Sequence, residues 1–327
     1  MNLITHIFIA NFVCQNFIAM KKLITLFAVA GVIASSCNKP EPPPIPEPDN
    51  DPGQTEQPNE PVKIPIKLSA SITSKATDAA FEDGDEIGIY VVNYDDDTAG
   101  TLANSGNHLN NTKFTLNGTE WETAKEEYWL DQKTKADFYC YYPYTASITD
   151  ITAVEFTVKE DQSTYADYKA SELLYGKTEG AAPSENPVQI QTKHALSNII
   201  VYVTPGKGYT EETLAEEEIS VTITGVKTKA SLNLKNGSVT AEGSAKDITP
   251  YKESTWWRAL VVPQDIIGTQ IIKVTVGQNV YTLNQTVTFI QNTQHKCTVV
   301  VNKISEGVNI SIGGWESADT DFGGTLD

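Results

Sequence analysis

The chain has 327 residues, of which 40% are hydrophobic, and this length suits about two soluble domains of ordinary size. Acidic residues outnumber basic ones by 42 to 24, the formal net charge is −18, and Arg258 is the only arginine. Nucleic-acid binding needs clustered Lys and Arg to neutralise phosphates, so this balance excludes nucleic acid as a predicted partner.

The N-terminus has the pattern of an export signal, with Met20 as an alternative start to Met1. Two lysines follow Met20, and the apolar run LITLFAVAGVI comes next, at residues 23–33. The segment Ala34-Ser-Ser-Cys37 resembles the bacterial lipobox, in which small residues precede a cysteine that is lipidated. The lipobox prefers Leu where this chain has Ala34.

We therefore predict a signal peptide over residues 1–37, with Cys37 as the lipidation site. Two or more acyl chains on that cysteine are enough for stable membrane attachment. Residues 38–61 are rich in proline and acids, and this composition predicts a stiff, solvated tether. A retained membrane span is the alternative, but it would place Lys21 and Lys22 inside the bilayer, where charge is costly.

The folded part begins with a strictly alternating segment, VKIPIKLSASIT, at residues 62–73. This period of two predicts a half-buried strand. Pro65 has no backbone N–H to give to a neighbour, so the strand is expected at the edge of a sheet. Burying all six apolar side chains would contribute roughly 9–18 kcal/mol as an upper bound. The predicted apolar face comprises Val62, Ile64, Ile66, Leu68, Ala70 and Ile72.

Period-two patterns continue to the C-terminus and are separated by turn signals such as Asn117-Gly118. Helix is expected only at residues 162–175, with Ser163 as a candidate N-cap, and at the short acidic stretch 211–218. So many strands predict an all-β fold of two sandwiches. Further strands are predicted at residues 86–94, 113–117, 136–144, 153–158, 198–205, 219–226, 230–234, 258–265, 271–278, 280–290, 296–304 and 308–315.

The segment GAAPSENP, residues 180–187, has the densest turn-forming composition inside the folded part. It predicts a division into an N-terminal sandwich at 62–183 and a C-terminal sandwich at 184–327. Cys140 and Cys297 lie in strand-like runs, where buried thiols are favoured over a disulfide between them.

The sequence lacks the common catalytic motifs, so we predict no enzyme activity, no cofactor and no metal. Asp83 and Asp85 fit an acidic turn better than a calcium loop, because the spaced ligands of an EF-hand are missing. Asp95, Asp96 and Asp97 fit a solvated hairpin tip, with a weak cation site as the alternative. A set of aromatic residues could form a sugar-stacking platform, although core packing is the simpler interpretation. That set is Trp121, Trp129, Tyr139, Tyr141, Tyr142 and Tyr144.

Several short motifs, in their order along the chain, resemble the fimbrillin family, whose members are lipoprotein precursors of type V pili. Together they cover nearly everything after the tether. They are FEDGDEIGIY from Phe81, Tyr128-Trp129, DFYCYYP from Asp137, Asp161-Gln162-Ser163, Ser171-Glu-Leu-Leu174, His194-Ala-Leu-Ser197, Val262-Pro-Gln264 and Ile312-Gly-Gly-Trp315.

The resemblance implies two tandem transthyretin-like β-sandwich domains and a structural role in a surface fimbria that mediates adhesion. It also implies assembly by strand exchange, in which a protease removes the tether and first strand and a neighbour's C-terminal strand replaces them. The candidate donor residues Val308, Ile310 and Ile312 alternate with polar residues, as an inserted strand requires. Residues 62–73 and this C-terminal stretch are equally explained as terminal strands of their own domains.

Processing in the best-known fimbrillins follows an arginine, whereas this chain has Ser-Lys-Ala-Thr at 74–77. The candidate cleavage is therefore between Lys75 and Ala76. Without cleavage, the chain would suit an anchor subunit at the base of the fimbria. The implied partners are other fimbrial subunits, the outer membrane through the lipid anchor, and a host or bacterial surface ligand. A monomeric surface lipoprotein that binds glycan or host protein is the alternative function.

Overall fold

In the computed structural model of this chain, the described residues are 62–73, 80–304 and 307–318. All of them fall within one compact unit, Pro58–Asp327. These residues form seventeen strands and two five-residue helices, so the predicted all-β class is confirmed. Over the same ranges, no helix combines the length and the apolar content that crossing a membrane requires.

The strands follow one another with few helical interruptions. The first nine are β1 Leu68–Ile72, β2 Glu86–Asn93, β3 Leu109–Asn117, β4 Glu120–Glu122, β5 Ala136–Tyr142, β6 Val154–Thr157, β7 Leu174–Ala181, β8 Val188–His194 and β9 Ser197–Pro205. The other eight are β10 Ile219–Leu232, β11 Val239–Ile248, β12 Tyr251–Glu253, β13 Trp256–Val261, β14 Gln264–Val276, β15 Asn279–Phe289, β16 Thr293–Ile304 and β17 Gly307–Ala318.

The first sheet has seven strands in the order β1-β8-β7-β5-β2-β3-β4. β1 and β8 run parallel, whereas the other neighbouring strands are antiparallel. β1 also contacts β4, so the two ends of the sheet approach each other and the sheet curls around a hydrophobic cluster. The buried members of this first cluster include Ile66, Leu68, Ile87, Ile89, Phe114, Trp121, Trp129, Phe138, Val188 and Ile190.

The central strands β2 and β5 are buried on both faces. Successive side chains of a strand point to opposite faces of the sheet. Ile89 and Phe138 therefore pack in the first cluster, while Tyr90 and Tyr139 pack in a second one on the other side. This explains why both strands are apolar or aromatic at nearly every position, instead of alternating with polar residues.

The second cluster is enclosed by two five-stranded sheets together with the outer face of β2 and β5. One sheet has the order β11-β10-β14-β15, and β6 also pairs with β10. The other has the order β12-β13-β9-β16-β17, with β9 and β16 parallel. β17 therefore lies at the edge of its sheet.

Both helices are shorter than predicted. α1 spans Tyr165–Lys169, and its N-cap is Thr164, whose hydroxyl accepts from the backbone N–H of Asp167. The predicted helix at 162–175 is wrong in its length and in its cap, because the chain enters β7 at Leu174. α2 spans Glu211–Ala215 and begins with a capping box between Thr210 and Thr213.

The predicted division at residue 184 falls in the loop between β7 and β8, and these two strands are antiparallel neighbours in the first sheet. The first sheet thus extends past that position to His194, because Gly176 pairs with Thr192 across the hairpin. The division into two transthyretin-like domains stays a prediction.

Candidate functional site

The N-terminal segment that was predicted to be exchangeable lies along the edge of the first sheet, and its first half pairs with the chain next to β4. Pro65 forms an isolated antiparallel bridge with Tyr128. The N–H of Ile66 donates to the carbonyl of Glu127 at 2.8 Å, and the N–H of Trp129 donates to the carbonyl of Ile64 at 2.9 Å. Pro65 has no backbone N–H, and the pairing does not require one, because Ile64 and Ile66 make the hydrogen bonds on either side of it. This is expected of a proline at the edge of a sheet.

The second half of the segment, β1, pairs with β8 at the other end of the sheet. The register places Leu68 opposite Val188. Hydrogen bonds extend the pairing on both sides, because Val188 donates to Lys67 at 2.8 Å and Thr73 donates to Thr192 at 2.8 Å. The segment therefore connects the two edges of the curled sheet.

The side chains of the segment divide by burial. Ile66 and Leu68 are buried, with 6% and 5% of their surface exposed, and Ile64 and Ala70 pack partly against the first cluster. Val62 departs from the predicted apolar face because it precedes the first backbone–backbone hydrogen bond, which Ile64 makes, and it is 69% exposed. Ile72 is half-buried at the end of β1.

Polar contacts add little to the attachment of this segment. Lys67 and Glu185 are 3.9 Å apart and both are exposed, and the ammonium of Lys63 lies 5.6 Å from the ring centre of Tyr128. Exposed ion pairs contribute only about 0–1 kcal/mol. The two buried side chains contribute about 3–6 kcal/mol together, which is less than the sequence estimate for six. Apolar burial and backbone hydrogen bonds therefore hold the segment in place.

The groove under the segment is apolar. Val188 and Ile190 of β8 line it on one side, and Trp121 and Trp129 belong to the same cluster. The ring centres of Trp129 and Phe138 are 5.4 Å apart in an edge-to-face arrangement. Removing the segment would expose these side chains to water, which favours a replacement strand of similar apolar pattern.

The candidate donor strand also lies at a sheet edge. β17 pairs antiparallel with β16, and the backbone register places Val308 opposite Lys303 and Ile310 opposite Val301. Ile312 lies opposite Val299, before a register shift. Cys37, Lys75 and Ala76 lie outside the described residues, as do the signal peptide and the tether.

The carboxylates of the acidic turn at Asp83 and Asp85, which was considered as a calcium loop, accept hydrogen bonds from backbone N–H groups. A carboxylate oxygen of Asp85 accepts from the N–H of Glu82 at 2.7 Å, and Asp83 accepts from the N–H of Gly118 at 2.7 Å. Asp97 lies 3.2 Å from the ammonium of Lys135. Across the described parts of the chain, no group of three or more His, Cys, Asp or Glu side chains is placed to hold a metal ion.

The aromatic strand is part of the core, not an exposed platform. Tyr139 and Tyr141 are 5% and 1% exposed, and Trp121 and Trp129 are also buried. Burial raises the pKa of Tyr141, whose hydroxyl donates to Asn111 at 2.6 Å. The alternative of sugar stacking on this strand is therefore wrong.

Both cysteines of the folded part are free, buried thiols. Burial raises the pKa of the Cys140 thiol and raises that of Cys297 to about 12. They act as small apolar side chains, one in each hydrophobic cluster.

The sequence matches the fimbrillin-like family over residues 74–315, which is well over half of the chain. The chain belongs to the fimbrillin-like family. The match includes β2 to β16, with both hydrophobic clusters, and begins directly after the N-terminal segment described above.

Individual relatives agree with this assignment. A Bacteroides uniformis protein provisionally named fimbrium subunit Fim1C is 24% identical over 257 residues, which cover 74% of this chain and 80% of that protein. Two solved structures, provisionally described as cell adhesion proteins, share the fold. The one from Bacteroides uniformis has 20% identity and a TM-score of 0.59, over 80% of this chain and 99% of that chain. The one from Bacteroides ovatus has 18% identity and a TM-score of 0.62, over 78% and 98% respectively.

The strands predicted from the sequence omit β4, β7, β8, β11 and β12 of this fimbrillin-like fold. Two of the contributors that sequence reasoning missed have clear contacts in the structure. One is β8, the parallel neighbour of β1, whose burial alternates strictly from Val188 to His194. The other is Gln162, whose amide is fully buried and bonds the backbone of Leu260 twice, at 2.9 Å each. The alternation in VQIQTKH was a usable signal for β8, whereas no local pattern indicates a role for Gln162.

Proposed function

We propose that this protein is a structural subunit of a surface fimbria that assembles by strand exchange and takes part in adhesion. Its membership of the fimbrillin-like family and its similarity to a fimbrium subunit support this proposal. The observation that carries the strand-exchange mechanism is the N-terminal edge segment at 62–73, which includes β1 and whose Ile66 and Leu68 fill an apolar groove.

An edge position matters because an edge strand can leave without dividing a sheet. β1 has one neighbouring strand, β8, and the preceding residues bond to the chain around Tyr128, to the N–H of Val188 and to the side chain of Gln132. Cleavage between Lys75 and Ala76 would release the segment, and the exposed groove would then bind a strand from another subunit. Main-chain hydrogen bonds would supply affinity, and the apolar positions would supply specificity.

The C-terminal strand is the proposed donor. Val308, Ile310 and Ile312 repeat the spacing of Ile64, Ile66 and Leu68. β17 also pairs with β16 alone in its sheet, so its release would leave the other four strands of that sheet connected.

The proposed site of action is the outer membrane and the cell surface. Acylated Cys37 would hold the precursor in the membrane, and the tether would keep the folded part away from the lipid. The role is structural and not catalytic, and the partners are other fimbrial subunits together with a host or bacterial surface ligand.

Mass spectrometry of the mature N-terminus, on protein sheared from intact cells, tests the cleavage step. We expect Ala76 at the N-terminus in the wild type and acylated Cys37 in a Lys75→Ala variant. Lys63→Ala, in the same segment, is the matched control and should be processed normally. An N-terminus other than Ala76 in assembled fimbriae would refute this cleavage site.

Unboiled SDS gels test assembly. The wild type should form ladders, and Ile310→Asp should abolish them because a charge cannot enter the apolar groove. Ser311→Asp changes the alternate face and should leave the ladders unchanged, while circular dichroism checks that both variants fold. A chain that stays monomeric under all conditions would support the surface lipoprotein that binds glycan or host protein instead.

A further inference from the structure

A second surface feature lies far along the chain from β1 and centres on the only arginine. The guanidinium carbon of Arg258 is surrounded by four aromatic rings, at 4.6 to 6.0 Å from their centres. Such distances are those of cation–π contacts. The rings belong to Tyr165, Tyr168, Tyr251 and Trp256, and we call these four residues with Arg258 and Glu253 the arginine cluster.

Two separate parts of the chain build this cluster, a hairpin and a helix. The β12–β13 hairpin pairs Tyr251 with Arg258 and Glu253 with Trp256, so all four share one face of the sheet. Helix α1 adds Tyr165 and the tyrosine three residues later, which lie on the same helical face. The two tyrosines of α1 pack against Tyr251, with ring centres 5.9 and 6.2 Å apart.

The cluster is open to solvent although it is aromatic. Tyr165 is 47% exposed, and the side chains of Glu253 and Arg258 are 41% and 18% exposed. If the packing of aromatic rings around Arg258 served stability alone, we would expect all of these rings to be buried from solvent. Here the outermost ring, that of Tyr165, is about half exposed and lies beside a charged pair.

That pair can both donate and accept hydrogen bonds. A terminal nitrogen of Arg258 lies 2.9 Å from a carboxylate oxygen of Glu253, so their charges cancel locally. Three atoms here are buried and have no hydrogen-bond partner among the described residues, namely the Nε atom of Arg258, the Oε2 atom of Glu253 and the hydroxyl of the adjacent Tyr202. Tyr202 stacks beside Trp256, with ring centres 6.1 Å apart.

We propose that the arginine cluster binds a neutral sugar residue of a surface glycan. A sugar ring has an apolar face that can pack on Tyr165 or Trp256, and its hydroxyls can bond a donor and an acceptor that lie side by side. A carboxylated or sulfated sugar fits less well, because Glu253 already neutralises Arg258 and the whole chain carries a net charge of −18.

This inference adds a ligand class to the proposed adhesive role, but it does not depend on polymerisation. The arginine cluster lies on α1, β12 and β13, and none of its residues contributes to the pairing of β1. Binding and assembly can therefore be tested separately in the same variants.

The test is an array of immobilised neutral oligosaccharides that end in glucose, galactose, mannose, fucose or N-acetylglucosamine, with sialylated and sulfated glycans as charged probes. We expect the full-length protein to bind a subset of the neutral glycans. Tyr165→Ala and Trp256→Ala should each weaken that binding about tenfold, as the loss of a stacking ring predicts. Tyr165→Phe keeps the ring and should retain binding.

Lys252→Ala is the matched control on the same hairpin, because Lys252 lies over the ring of Trp257 on the opposite face. It should bind as the wild type does. Arg258→Lys keeps the charge but loses the planar stack, so it should also bind about tenfold more weakly. Unboiled SDS ladders should be the same for all five variants.

Three results would overturn the proposal. The first is an array on which no neutral glycan is bound, and the second is a preference for the sialylated or sulfated probes. The third is unchanged binding in Tyr165→Ala, whose half-exposed ring can be removed with little effect on folding. Lost ladders with retained glycan binding would count against fimbrial assembly and not against this site.

Discussion

Leu68 and Val188 lie opposite each other in the parallel pair of β1 and β8, and only 5% and 8% of their surfaces are exposed. Both side chains belong to the first hydrophobic cluster, at the edge of the first sheet. This contact joins the segment proposed to be exchanged with the strand that would receive its replacement. Its strength therefore affects both the stability of the precursor and the proposed release of β1.

Leu68→Ala should destabilise the uncleaved protein by about 2–3 kcal/mol, at the lower end of the range for buried leucines because an edge site can partly close. Urea unfolding followed by tryptophan fluorescence measures the change. Ser71→Ala, at an exposed position of the same strand, should change the free energy of unfolding by no more than about 0.5 kcal/mol. Equal effects of the two substitutions would contradict the burial of Leu68.

Gln162→Ala should cost about 2–4 kcal/mol, because it leaves the buried N–H and C=O of Leu260 without their side-chain partners. The side-chain amide of Gln162 makes the hydrogen bonds to β13 that a neighbouring strand would otherwise make. Gln191→Ala removes an exposed glutamine from β8 and is the matched control. Thermal unfolding of both variants would test this, and a similar midpoint in both would disprove it.

The stability of the folded protein should fall as the pH drops below about 6.5, partly because of His295. Burial lowers the pKa of His295, so the folded state binds its proton less readily than the unfolded state does. Between the two pKa values the unfolded state binds more protons, and stability therefore rises with pH across this window.

Urea unfolding at several pH values between about 5 and 8 measures this slope. A His295→Gln variant should show a shallower slope than the wild type. An unchanged slope in the His295 variant would mean that another group is responsible.

Cys140 and Cys297 should react very slowly with iodoacetamide in the folded protein. Both thiols are fully buried, and burial raises the pKa of Cys297 to about 12, so almost no reactive thiolate forms near neutral pH. Peptide mass spectrometry should find both unmodified in buffer and modified in guanidinium chloride. Labelling of either one in the native state would show that its cluster opens to solvent.

The sequence predicted those elements that its local pattern encodes. The edge position of β1 followed from Pro65 together with the strict alternation around it, and β2 and β5 followed from their apolar runs. β8 was missed because Thr192 and His194 stand at two of its four buried positions. The side chains of β8 therefore look less apolar than those of an ordinary half-buried strand.

Long-range contacts could not be predicted in the same way. Nothing near Ile66 in the sequence indicates that its N–H bonds to Glu127, and nothing near Arg258 indicates the tyrosines of α1. The predicted strands at 219–226 and 230–234 are one strand, β10, because the chain continues through irregular pairings at Gly225 instead of turning. Such outcomes depend on tertiary packing.

The double burial of β2 and β5 has a mechanical consequence. Two hydrophobic clusters rest on opposite faces of the same pair of strands, and β1 is separated from that pair by β8 and β7. When a fimbria is pulled, this central pair should resist bending between the clusters, so the two clusters of each subunit should move together. Any stretching would then be concentrated at the junctions between subunits.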